Sequence, residues 1–134
     1  MVERIDKEDG ALLAKGEIDR AGEELNAAKS LQGNGFFFKS VVSAYYATYH
    51  AAKALLLLKG VAPKTHEGVE RMFGLYYIKT KEFDLTAGKS LGRLMKMREE
   101  ADYYPDVPFT ADEAAEAIKA AKDFLEKARL RFKT

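Results

Sequence analysis

A histidine lies at the centre of a polar stripe between residues 39 and 57. Lys39, Ser43, Tyr46, His50, Lys53 and Leu57 recur at spacings of four and three, the repeat of one helix face. An imidazole, with an ordinary pKa of about 6.5, takes or gives a proton near neutrality. Lys39 lies one turn before Ser43, and Lys53 one turn after His50, so the same face offers cations. A proton acceptor among cations suits a phosphate ester, where a hydroxyl must lose its proton and charge develops on phosphate oxygens. The same spacing also describes the solvated flank of a core helix. A second stripe runs beside it: Phe38, Val42, Tyr45, Tyr49, Ala52 and Leu56 are bulky and are expected to face the core.

Two smaller constellations follow. His66 comes two residues after Lys64 at an expected helix start. Backbone amides there attract anions, and both side chains would add to that field. Capping and loop packing are the other reading of the same residues. Arg98 and Asp102 are four apart, the spacing of an intrahelical ion pair worth a few tenths of a kcal/mol, and are read as anchoring the end of their helix. Gly68, Gly74 and Gly92 follow no strand pattern, so a phosphate loop or dinucleotide fold is excluded.

Composition narrows the classes. The chain has 134 residues, 47% hydrophobic and 32% charged, as expected of one globular domain over residues 1–134. Lys and Arg total 22 against 21 Asp and Glu, which argues against a wholly basic nucleic-acid coat but leaves a local patch open. With no cysteine and two histidines, neither a thiol nucleophile nor a Cys/His metal centre is available, and no metal or cofactor is expected. The charged first ten residues do not resemble a secretory signal, and Leu55–Leu58 is too short to cross a bilayer. A cytoplasmic protein without a membrane partner is the expectation.

The elements that must position these residues read as helices. Gly33-Asn34-Gly35, Pro63, Pro105 and Pro108 mark the breaks. A first helix is expected from about Asp6 to Gln32, with Ala14, Ile18, Ala21, Leu25 and Ala28 on one face. The second runs from Gly35 or Phe36 to Lys59 and stops at Gly60. The third starts at Thr65 and ends near Thr80. The fourth runs from about Thr86 to Tyr103 or Tyr104, with Leu91, Leu94, Met95 and Ala101 inward. The fifth follows a capping box at Thr110 to Glu113, keeps Ala114, Ile118, Ala121, Leu125, Ala128 and Phe132 in register, and ends in Lys127, Arg129, Arg131 and Lys133 beside its negative pole. Of Phe36, Phe37 and Phe38, two are expected in the core and one against the first helix, an exposed patch being the sign of a partner surface instead. The result is an all-α, up-and-down bundle of four main helices plus a shorter one, without a sheet.

Residues 40–56, Ser-Val-Val-Ser-Ala-Tyr-Tyr-Ala-Thr-Tyr-His-Ala-Ala-Lys-Ala-Leu-Leu, resemble the signature helix of HEPN domains, and of the small stand-alone prokaryotic HEPN proteins above all. Pro63-Lys-Thr-His-Glu-Gly-Val69, Phe73 through Lys79-Thr80, Leu91-Gly-Arg-Leu94 leading to Arg98-Glu-Glu-Ala-Asp-Tyr103, and the alanine-rich last segment with Phe124 agree in order. The resemblance covers about residues 36 to 130 and implies a helical bundle that pairs as a homodimer. Many members of the family are metal-independent ribonucleases, often toxins encoded beside a minimal nucleotidyltransferase that neutralises them; others bind or assemble without activity.

The family's catalytic pattern is an arginine, four to six residues, then a histidine. His50 supplies the histidine here, and Ser43 stands in the arginine's place. The resemblance therefore implies a dimeric binding module for a nucleotidyltransferase partner, RNA or a nucleotide, with weak or no catalysis. Lys39, Ser43, Tyr46, Lys53, Lys64 and His66 would be its contact residues. The alternative is a ribonuclease toxin of a HEPN/nucleotidyltransferase toxin–antitoxin system using His50. Lys39 and Lys53 offer point charges in place of the arginine fork.

Overall fold

The computed structural model describes residues 2–104 and 108–132. Five helices follow one another: α1 (Lys7–Gly33), α2 (Phe37–Leu58), α3 (His66–Phe73), α4 (Leu85–Tyr103) and α5 (Ala111–Arg129). The all-α bundle expected from periodicity is present. Pro105 and Lys133, given a break and a helix-end role above, lie outside the described residues.

The expectation of no sheet needs correction. Residues Val2–Arg4 form a short strand, β1, that pairs antiparallel with β2 (Val61–Pro63). Gly60, at φ +75°, turns the chain from α2 into β2, and the Ile5 amide donates to its carbonyl at 2.9 Å. A left-handed residue is natural for glycine. Three residues per strand are too few for a period-two signal to show in sequence.

The helix ends have local causes. Thr65 accepts from the Gly68 amide (2.9 Å) and starts α3. Asp84, rather than a residue near Thr86, caps α4 by accepting from the Ala87 amide (3.1 Å). Thr110 and Glu113 form the reciprocal capping box of α5 at 3.1 and 3.0 Å. The third helix is shorter than expected: α3 ends at Phe73 and the chain continues as a π-helical turn over Gly74–Ile78. That wider turn keeps Tyr77 in the core, where its hydroxyl donates to the Leu55 carbonyl.

α1 and α2 lie antiparallel along their lengths. Ser40 Oγ donates to the Ala28 carbonyl (2.8 Å) near one end, and Glu17 meets His50 midway. At the other end a Cβ on Gly10 would stand 2.5 Å from the Leu57 carbonyl oxygen, so only glycine allows that approach.

α2 is the axis of the fold. The expected core stripe is too narrow and in places misplaced: Phe38 and Val42 are only half-buried, while Val41, Ala44, Ala47, Thr48, Ala51, Ala54 and Leu55 are fully enclosed. Leu57, placed on the polar stripe, is buried as well. α1, α3, α4 and α5 all pack against α2, so it has little free face. The inward residues expected on α5 are buried from Ala114 to Ala128, with Phe132 half-buried beyond the helix. Phe36 is exposed, while Phe37 packs against the core.

Candidate functional site

Because most of α2 is enclosed, several of its polar side chains find partners on neighbouring helices. His50 lies midway along it, with its side chain only 15% exposed. Its Nδ1–H donates to Glu17 Oε2 of α1 at 3.0 Å. Lys53 Nζ stands 3.4 Å from the same oxygen. Burial alone would raise the Glu17 carboxyl. The hydrogen bond from His50 and the nearby Lys53 charge outweigh it and hold Glu17 below the ordinary carboxylate value. Glu17 is thus an anion near neutrality, and an acceptor only.

His66, the first residue of α3, joins the same seam. Its ring stacks on Tyr49 at 4.3 Å and 17°, and its Nδ1 is 2.5 Å from the Tyr45 hydroxyl. Burial pushes the Tyr45 phenol up, so it keeps its proton. Burial, with the Arg98 guanidinium next, holds His66 below the ordinary imidazole value. Two neutral groups therefore meet here.

Tyr46 bridges the two histidines, with ring centroids 6.3 Å from His50 and 6.0 Å from His66. Arg98 of α4 closes the seam. Its Cζ lies 5.4 Å from the Tyr45 ring centroid, and Nη1 donates to Asp102 Oδ2 at 2.9 Å. The Nε is buried with no acceptor among the described residues, so the ring face and Asp102 hold the guanidinium.

The structure brings Tyr46, His50, Lys53 and His66 together and leaves three expected contact residues aside. Lys39 is exposed, with Nζ 5.7 Å from the Phe38 ring centroid. Ser43 is half-buried one turn before Tyr46. Lys64 is exposed and pairs with Glu3 of β1 at 2.8 Å. The helix start is capped by Thr65, so His66 is free to bond Tyr45 instead.

Glu17 was missed because only the register of α1 against α2 selects it among the acidic residues of α1. Tyr45 and Tyr49 are buried as expected, yet they also build the site. Arg98 does pair with Asp102, and it faces Tyr45 in addition.

Among the described residues, no group of three or more His, Cys, Asp or Glu could hold a metal ion. No helix among them is long and apolar enough to cross a membrane. The site is a seam of proton donors and acceptors with two cations at its rim.

The model of the HEPN domain matches residues 14–131, which includes every residue of this seam. The chain belongs to the HEPN domain family. It is 41% identical over 110 residues to a Methanocaldococcus jannaschii protein named as a candidate toxin, covering 82% of this chain and 81% of that one. A second candidate toxin of that organism is 32% identical over 84% of this chain and 76% of its own length. A UPF0332 protein of Thermotoga maritima is 34% identical over 80% of this chain and 81% of its own length. The HEPN match begins within α1 and so takes in Glu17, ahead of the signature stretch on α2.

Proposed function

We propose that this HEPN chain is a dimeric binding module whose α1–α2–α3–α4 seam contacts RNA or a nucleotide, with weak or no cleavage. The observation that carries this reading is the pairing of two half-buried histidines with Lys53 and Arg98 around Tyr46 in an otherwise Ala- and Leu-rich bundle. Cations take phosphate oxygens, and a half-buried aromatic ring offers a stacking face to a base. Toxin-like names among the relatives support a partner system, and a minimal nucleotidyltransferase is the partner proposed. Exposed Phe36 and Tyr104 both lie beside Phe109 and give a second copy apolar surface to cover. Light scattering at micromolar concentration is expected to give twice the mass of one chain; a monomer would contradict the dimer.

Weak cleavage follows from Ser43. It lies two turns before His50, where a guanidinium would reach the phosphate that the imidazole attends. Arg98 stands on α4 against Tyr45 and Asp102, not on the α2 face two turns before His50. Ser43→Arg is expected to create or raise metal-independent cleavage in EDTA by roughly 10²–10³-fold, and adding His50→Ala to abolish the gain. A folded, dimeric and inert Ser43→Arg would remove the degraded-active-site reading. Efficient EDTA-resistant, His50-dependent cleavage by the natural chain would instead establish the second reading, a ribonuclease toxin; the Glu17–His50 pair is what favours it, since a carboxylate-oriented imidazole is a competent base.

A further inference from the structure

We infer that Glu17 and Tyr45 lock His50 and His66 in opposite tautomers, so that the two rings together read a ribose hydroxyl beside a phosphate. This rests on the RNA reading above and adds which nitrogen of each ring is left to accept and which to donate.

Glu17 is a carboxylate and can only accept, so His50 Nδ1 carries the hydrogen of their 3.0 Å bond. In its neutral form His50 then has its lone pair on Nε2. The second ring is fixed the other way. Tyr45 is fully enclosed and its hydroxyl finds no acceptor among the described residues except His66 Nδ1. Had Nδ1 carried a hydrogen toward the phenol oxygen, the phenolic proton would be buried without a partner, at a cost of about 1–3 kcal/mol. The Tyr45 O–H therefore donates to Nδ1, and His66 carries its hydrogen on Nε2.

One ring offers an acceptor and the other a donor. The Tyr49 centroid is 5.3 Å from one imidazole and 4.3 Å from the other, so the two are at most 9.6 Å apart. His50 Nε2 suits the proton of a 2′-hydroxyl, and His66 Nε2–H suits a phosphate oxygen. Neither nitrogen is claimed by another side chain among the described residues. DNA lacks the hydroxyl that His50 would accept from, and the 2′-hydroxyl is what tells the two nucleic acids apart. Glu17 and Tyr45 act here as positioning residues, one from α1 and one from within α2.

The test has two arms. Proton–nitrogen correlation spectra of the imidazoles, recorded on the full chain well above the ordinary histidine pKa of about 6.5, read the tautomers directly. His50 is expected with its hydrogen on Nδ1 and His66 with its hydrogen on Nε2. Glu17→Gln should mix the first and Tyr45→Phe the second. His50 protonated on Nε2, or His66 on Nδ1, in the natural chain would overturn the inference, and this arm needs no variant to fold.

In the second arm, one labelled single strand is titrated as RNA and as its 2′-deoxy counterpart. The natural chain should prefer RNA by about tenfold, and folded Glu17→Gln should lose most of that preference. Equal affinity for both strands would overturn the hydroxyl assignment. If neither strand binds while the tautomers are as assigned, the RNA reading fails and the tautomer lock stands.

Discussion

α5 and α2 are both long and alanine-rich, yet they treat polar residues in opposite ways. On α5, 7 of 19 residues are buried, all on one face, and its polar side chains point to water or form surface pairs such as Lys119 with Asp123. On α2, 13 of 22 are buried, and helices lie against it on several sides. A hydroxyl or imidazole on its enclosed faces needs a partner within the protein. Ser40 bonds the Ala28 carbonyl, Thr48 the Ala44 carbonyl, Tyr45 the His66 ring and His50 the Glu17 carboxylate. A peripheral helix is stabilised by its stripe and its caps. A central helix also forces its polar groups into specific bonds, and that is where chemistry can be organised.

The two helices should be alike in their cores. Leu125→Ala on α5 and Leu55→Ala on α2 each remove a fully enclosed side chain and are each expected to cost roughly 2–5 kcal/mol in urea unfolding. A loss under about 0.5 kcal/mol at Leu125 would mean that the α5 stripe faces solvent.

They should differ in their polar groups. Glu17→Ala leaves His50 and Lys53 without their shared acceptor and should cost roughly 1–3 kcal/mol. Lys119→Ala on the outer face of α5 should leave the urea midpoint unchanged. Equal effects would erase the contrast. Between these lies the cap of α5: Thr110→Ala is expected to cost about 1 kcal/mol.

The smallest effect is pH dependence. His66 is held below its ordinary value of 6.5, so the unfolded chain binds its proton more readily than the folded one. Its contribution is whole above that pH and is lost as pH falls below it. Glu17, held below 4.5, adds a loss of the same sign at lower pH. The thermal midpoint should decline from about pH 7 to 5, and His66→Gln should flatten that limb. A midpoint that rises with acid in this window would contradict the direction assigned to His66.

Sequence carried the helices because their signals are local. The α5 capping box and the four-three rhythm from Ala114 to Ala128 lie within one segment, and each is present. The strands β1 and β2 were not legible, since three residues cannot show alternation and their pairing joins positions some sixty residues apart. The same holds at the site. Tyr46, His50 and Lys53 lie on one helix face and could be read together. Glu17 arrives from α1 by helix register, and His66 and Arg98 arrive from α3 and α4 by tertiary packing. Lys39 and Lys64 had the right charge and spacing, but Lys39 stays out on the surface and Lys64 pairs with Glu3. Charge type is visible in sequence; which cations share a seam is decided by packing between helices.

The most direct measurement is a titration of one labelled single-stranded RNA in EDTA with the natural chain and with folded His50→Ala, followed by recovery of the RNA on a gel. The natural chain is expected to bind and to leave the RNA largely intact, and His50→Ala to bind about tenfold more weakly. Equal binding by the two proteins, or rapid His50-dependent cleavage, would contradict a seam built to hold RNA without cutting it.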